Sequence, residues 1–185
     1  MKRTLQQTLL TLIAMVSAHA AIADNGIQYT YAELLYVDAE LDNANGDGFS
    51  LGGSYRINEE FYARGDFQDI EIEGIDIRAI ELGVGYISPY NAMDLIAEVN
   101  YVDYDVDVDV DVGDDNGFLL TGGLRTYLAP KLEASASMNY LTIDDNDAYI
   151  QLGANYSFTA LLSIDGGFRL GSDIDELTIG ARYLF

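Results

Sequence analysis

The chain contains no cysteine, and its single histidine, His19, lies within the first twenty residues. Without cysteine there is no disulfide, no thiolate metal site and no iron–sulfur cluster. Serine and threonine nucleophiles usually depend on a neighbouring histidine base. A chain that loses His19 by processing has no such base, so we do not expect an enzyme. A hydrolase that uses two carboxylates is the alternative, although no spacing in the sequence singles out such a pair.

Basic residues are also scarce, with nine Lys and Arg against 31 Asp and Glu and a formal net charge of −22. This balance argues against a nucleic-acid partner, because nucleic acids bind to basic surfaces. An excess of one charge can also indicate disorder. Here, however, aromatic and β-branched residues are abundant and regularly spaced, so the sequence predicts a folded domain.

Residues 1–20 have the pattern of a secretory signal peptide. Two basic residues open the segment, a short apolar core follows at 9–16, and a small-x-small cleavage site follows at 18–20. Cleavage after Ala23 is the alternative. The apolar core is too short for a transmembrane helix, and no later stretch is long and apolar enough for one. The expected mature domain is therefore 21–185.

The mature chain consists of short segments in which apolar and polar residues alternate with period two, the pattern of β-strands with one apolar face. Turn residues such as Asn58-Glu59, Ser88-Pro89 and Ala129-Pro130 separate the segments. The segments cover about 28–37, 49–57, 61–68, 79–86, 94–101, 118–125, 132–140, 149–158, 162–170 and 177–185. Ten such segments predict an all-β, closed, antiparallel transmembrane β-barrel, with eight strands as the alternative.

The polar faces of the strands distinguish this fold from a soluble β-sandwich. Strand two, for example, sets Phe49, Leu51 and Tyr55 against Ser50 and Ser54. A sandwich shows water a face rich in Lys and Glu. The polar faces here carry Gly, Ser, Thr and Asn with about one charge per strand, which suits a confined lumen. Connections alternate between short and longer or acidic ones, which predicts that both termini are periplasmic.

The last segment, 177–185, ends in Arg182-Tyr183-Leu184-Phe185 and has no charge or proline that would protect an exposed sheet edge. We therefore expect it to pair with strand one and close the barrel. The signal peptide, the strand rhythm and this ending resemble the small outer-membrane β-barrel proteins of Gram-negative bacteria, namely the OmpA-, OmpX- and opacity-like membrane domains. The resemblance covers the mature chain, without a periplasmic domain. It implies a monomer in the bacterial outer membrane, in contact with lipid and lipopolysaccharide. It also implies that Tyr183 and Phe185 are the signal read by the barrel-assembly machinery.

Charged residues of inward parity predict a network of salt bridges across the lumen, because buried charges persist only when they are paired. The network is expected to contain Glu33, Arg56, Arg64, Asp66, Glu81, Glu98, Arg125, Glu133, Asp165, Arg169 and Arg182. The competing interpretations of these residues are a carboxylate pair for catalysis and a cation-selective passage.

An unusual acidic stretch follows strand five. Asp103, Asp105, Asp107, Asp109 and Asp111 alternate with valines and fall on the outward face. Similar inversions after strand one and around Glu73-Gly74 predict hairpins that rise beyond the lipid. Their outer faces would be acidic, and their inner aliphatic residues would form a hydrophobic cap over the mouth.

These five aspartates are candidate ligands for Ca²⁺ or Mg²⁺ bridging to lipopolysaccharide, since hard cations prefer oxygen ligands. An acidic edge that only keeps the protein soluble is the alternative. No other cofactor is expected. For the whole chain, the sequence favours a structural or surface role with a closed lumen. A narrow cation-preferring pore and adhesion through the acidic loops are the alternatives.

Overall fold

The computed structural model of the protein describes residues 25–41, 44–107, 115–143, 146–171 and 174–185. The expected signal peptide lies outside the described residues. Ten β-strands follow one another in the described part. They are β1 (Tyr31–Leu41), β2 (Ala44–Arg56), β3 (Phe61–Ile72), β4 (Ile75–Tyr90), β5 (Met93–Asp107), β6 (Asp115–Ala129), β7 (Leu132–Leu141), β8 (Asp147–Ser157), β9 (Leu162–Leu170) and β10 (Ile174–Leu184).

Each strand pairs antiparallel with its neighbour in sequence, and β1 pairs with β10, so the sheet closes into a ten-stranded barrel. In the closing pair Tyr31 lies opposite Leu184 and Leu41 opposite Ile174. The predicted fold class and strand number are therefore confirmed. We call the end of the barrel where β1 begins and β10 ends the terminus end, and the opposite end the loop end.

The outer surface of the barrel is apolar. Side chains at mid-height are largely exposed, including Leu51 at 54%, Leu82 at 60% and Met138 at 71%. Exposed aromatic side chains lie toward both ends, with Tyr183 and Phe185 stacked at the terminus end and Tyr101 packed edge-on against Phe118 nearer the loop end. Such an exterior would be unstable in water but matches the lipid-facing band and aromatic girdles of transmembrane barrels. No helix within the described ranges is long and apolar enough to cross a membrane.

Several strands continue beyond the predicted segments toward the loop end. β3 and β4 meet at a two-residue turn, Glu73-Gly74, where both residues have positive φ angles of 52° and 84°. This backbone suits the right-handed twist of a tight hairpin. The hairpin therefore rises as continuous sheet, as the alternation around it predicts.

The prediction for the first strand was wrong at its start. β1 begins at Tyr31 and not at about residue 28, and residues 25–30 form no strand. This short piece, which we call the crossing segment, has buried side chains at Ile27 and Tyr29. It lies inside the barrel at the terminus end.

Candidate functional site: the barrel lumen

The strongest group of charges in the lumen is centred on Arg182 of β10. Its guanidinium lies 2.9 Å from a Glu33 carboxylate oxygen and 2.6 Å from one of Asp165, and it stacks over the ring of Tyr31 at 4.0 Å. β1, β9 and β10 bring these residues together, since Glu33 is the direct ladder partner of Arg182. One cation thus joins two carboxylates across three adjacent strands, all of them nearly buried.

A second ion pair joins β6 and β7. Arg125 of β6 contacts Glu133 of β7 at 2.7 Å, and each side chain is only 9% exposed. The guanidinium also lies over the ring of Tyr29 at 4.3 Å and donates to the carbonyl of Gln28 at 3.1 Å. Arg125 therefore connects the barrel wall to the crossing segment.

The third group is centred on Glu98 of β5. Its carboxylate accepts a hydrogen bond from the hydroxyl of Tyr62 and lies 3.5 Å from Arg64 and 3.4 Å from the Asn100 amide nitrogen. Arg64 faces Gly83 across β3–β4, and Asn100 faces the same glycine from β5. A Cβ at Gly83 would collide with Asn100, so this glycine makes room for the charged group.

Near the loop end, Arg169 of β9 pairs with Glu176 of β10 at 3.2 Å. The same guanidinium lies over the ring of Tyr149 at 3.8 Å. This pair marks the change from a polar to an apolar lining of the lumen, because hydrophobic clusters lie between it and the loop end.

Three residues of the predicted network lie outside these ion pairs. Asp66 accepts a hydrogen bond from Ser50 at 2.8 Å and faces Glu81 across β3–β4. In the described part of the chain, neither Asp66 nor Glu81 has a cationic group within salt-bridge distance. Arg56 instead donates to the carbonyls of Asn58 and Glu59 in the turn at the terminus end.

Carboxylates therefore outnumber guanidiniums among the inward-facing residues that the structure describes. The carboxylates are those of Glu33, Asp66, Glu81, Asp94, Glu98, Glu133, Asp165 and Glu176, and the guanidiniums are those of Arg56, Arg64, Arg125, Arg169 and Arg182. Counted as formal charges, these groups leave the described part of the lumen net negative.

Sequence reasoning missed the crossing segment as part of the site. Asn25 donates to the Met93 carbonyl at 2.9 Å and to Asp94 at 2.7 Å, and Tyr29 donates to the other Asp94 oxygen at 3.0 Å. Ile27 and Tyr29 form a buried cluster with Tyr62 and Ile87. A phenol is protonated at neutral pH, so Tyr29 is the donor in its contact with Asp94.

One signal in the sequence could have revealed the segment. Ile27 and Tyr29 have the inward parity of Tyr31 and Glu33, yet they are bulky, whereas the other inward positions are mostly small or polar. Large apolar side chains at the end of a lumen must pack against other apolar groups. Here Ile27 and Tyr29 form a cluster with Tyr62 and Ile87 of the barrel wall.

Two hydrophobic clusters line the loop end. Val37, Ala39, Ile70 and Ile72 form one, and Val102, Leu119 and Tyr149 form the other. The alternation predicted that these aliphatic residues turn inward. Ile75 pairs with Ile72 across the hairpin and has the same parity, but it is 37% exposed because it lies at the hairpin tip.

Among the residues that the structure describes, two cavities follow one another along the lumen. One of about 180 Å³ occupies the polar middle, beside Arg64, Asp66 and Glu81. The other, also about 180 Å³, lies between the hydrophobic clusters at the loop end. Gln68, Arg169 and Glu176 line both cavities, so these side chains form the boundary between them.

The predicted metal ligands are only partly described. Asp103 accepts a hydrogen bond from Tyr101 at 3.2 Å, Asp105 is exposed, and the backbone of Asp107 pairs with β4. Asp109 and Asp111 lie outside the described residues. Within the described ranges, no three His, Cys, Asp or Glu side chains come together to form a metal site.

No protein-family model matches the sequence, and no curated protein sequence matches it. Solved structures resemble it in outline. The KdgM porin in complex with disordered oligogalacturonate is 11% identical, over 84% of this chain and 99% of that chain, with a TM-score of 0.49. An outer membrane channel from Pseudomonas putida F1 is 10% identical over 91% and 98% of the two chains, with a TM-score of 0.49. The NanC porin is 7% identical over 84% and 100%, with a TM-score of 0.47. Likenesses at this level give no ground for a function, which has to be argued from the lumen itself.

Proposed function

We propose that this chain is an integral protein of the bacterial outer membrane, without enzymatic activity, that keeps its lumen closed at rest and has a structural or surface role. The apolar exterior and the closed sheet support the membrane part of the proposal. The crossing segment and the charged side chains beyond it, which obstruct the barrel one after another, support the closed lumen.

The obstruction at the terminus end is the observation that carries the proposal. The crossing segment fills that end with Ile27 and Tyr29, and Arg125 holds it against the wall. Beyond it, Arg182 and Arg64 extend into the lumen, and the Arg169–Glu176 pair separates the two cavities. An open general porin needs a continuous aqueous path. In the described part of the chain, two cavities of about 180 Å³ each lie along the lumen, and Gln68, Arg169 and Glu176 stand between them.

Planar-bilayer recording of the refolded protein tests the closed lumen. We expect no steady conductance at moderate voltage. A steady open current of the size that general porins carry would refute the closed state. Outer-membrane fractionation, together with heat-modifiable gel migration, tests the location and the folded barrel. Recovery of the intact protein only in the periplasm would refute the membrane assignment.

A further inference from the structure

From the way residues 25–30 cross the barrel, we infer that this segment is a removable plug, and that the barrel conducts small monovalent cations when the plug is out. This inference rests on the closed lumen proposed above and names what holds it closed.

The plug spans the whole width of the barrel. Its first residue, Asn25, is bound to Met93 and Asp94 of β5, whereas its last, Thr30, accepts a hydrogen bond from the Arg56 backbone of β2 at 3.1 Å and continues directly into β1. In the ring of ten strands β5 and β1 lie on nearly opposite sides. Six extended residues reach roughly 20 Å, which is enough to cross between them.

The plug is held mainly by side chains, and its last residue, Thr30, accepts hydrogen bonds from the backbone N–H groups of Arg56 and Phe185. Asp94, Arg125 and Tyr127 contact it through hydrogen bonds, and the Tyr29 ring packs against Tyr62 at 5.0 Å. The ladder of ten strands closes without it, through β1 and β10. Withdrawal of the plug therefore breaks no strand pairing. Segments of this kind open locally at a lower free energy than the sheet around them.

The space behind the plug suits a cation. Removing Tyr29 uncovers Asp94 and the guanidinium of Arg125, which is paired with Glu133. The polar cavity beyond is lined by Asp66 and Glu81, which lack a paired guanidinium among the described residues. A narrow, low-dielectric passage lined by surplus carboxylates attracts cations and repels anions. After the plug is removed, the described lumen is still narrowed by Arg64 and Arg182, by the boundary of Gln68, Arg169 and Glu176, and by the hydrophobic clusters of the loop end. A small, partly hydrated monovalent ion passes such a boundary more easily than an organic solute.

The test is bilayer recording of the double variant Ile27→Ala/Tyr29→Ala beside the wild-type protein. The matched control is Gln28→Ala, because Gln28 lies in the same segment but is exposed. We expect the open fraction of the double variant to rise at least about tenfold while the control stays at the wild-type level. In a KCl gradient, the reversal potential of the variant should move toward that of K⁺. Adding Asp66→Asn and Glu81→Gln should move it back toward zero.

The outcomes separate this inference from the proposed function. If the wild-type protein already conducts steadily, the closed lumen itself is refuted. Heat-modifiable migration shows whether the double variant is folded. If the wild-type protein is closed and the folded double variant is equally closed, the plug is refuted and the closed barrel stands. An anion-preferring current in the variant would refute the cation path. Should the double variant fail to fold, Tyr29→Phe/Asp94→Asn removes the hydrogen bond at nearly constant volume. It must then raise the open fraction if the plug inference holds.

Discussion

Replacing Arg182 by Met tests whether the lumen charges are a stabilising network. Arg182 holds Glu33 at 2.9 Å and Asp165 at 2.6 Å, and all three side chains are at least 87% buried. Methionine fills much of the same space but carries no charge. The variant Arg182→Met therefore leaves two carboxylates in the lumen without their cation.

The expected cost follows from that burial. Breaking a buried ion pair by removing one partner costs about 3–5 kcal/mol, because the remaining charge is desolvated and unpaired. The polar cavity beside Glu33 lets water approach, so we place the effect at the lower end, about 3 kcal/mol, or roughly two powers of ten in the folding equilibrium constant. The control is Arg78→Met. Arg78 is 44% exposed and lies 3.7 Å from Asp69, and such surface pairs contribute about 0–1 kcal/mol.

The assay is reversible urea unfolding in lipid vesicles, followed by heat-modifiable migration. The triple variant Arg182→Met/Glu33→Gln/Asp165→Asn should recover most of the lost stability, because neutral side chains are much less costly to bury than unpaired carboxylates. If Arg182→Met costs no more than Arg78→Met, or if the triple variant is no better than the single one, the network does not stabilise the barrel as argued.

Two further predictions concern backbone contact and assembly. Gly180→Ala should destabilise the barrel by about 1–3 kcal/mol, because a Cβ there would collide with the Leu34 carbonyl and lie 2.7 Å from the Leu35 Cα. The control is Gly166→Ala, whose Cβ would meet its nearest atom at 3.5 Å. This control should be nearly neutral in the same urea assay. Phe185→Ala should lower the amount of protein in the outer membrane more than it impairs folding in detergent. Phe158→Ala, which changes an exposed aromatic residue at the same end, should leave the outer-membrane level unchanged. Normal outer-membrane levels of the Phe185 variant would contradict a signal at the last residue.

The barrel could be predicted from the sequence because the pattern that specifies each strand lies within a few neighbouring residues. In β7, for example, Glu133, Ser135, Ser137 and Asn139 alternate with Ala and Met, and period two alone decides which of them face the lumen. The turns that reverse the chain are equally local, as at Glu73-Gly74. Parity therefore placed most lumen charges on the correct face without any knowledge of their partners.

The partners themselves could not be predicted, because they depend on side-chain reach across the lumen. Arg64 contacts Glu98, two strands away, and not Asp66 or Glu81 beside it. Arg56 has inward parity, yet it turns toward the carbonyls of its own turn, where no carboxylate partner is needed. The crossing segment depends on contacts between residues 65 to 101 positions apart, which no local pattern contains.

The pairing of β1 with β10 also has a consequence for the order of folding. Every other pairing joins strands that follow one another along the chain, so those hairpins form with little loss of loop entropy. The β1–β10 pairing instead brings together residues such as Glu33 and Arg182, which are 149 positions apart. Contacts of such long range form slowly. The barrel thus has one late step that converts an open, curled sheet into a sealed cylinder. The ion pair of Arg182 with Glu33 belongs to that step, so its loss should slow closure as well as weaken the closed state.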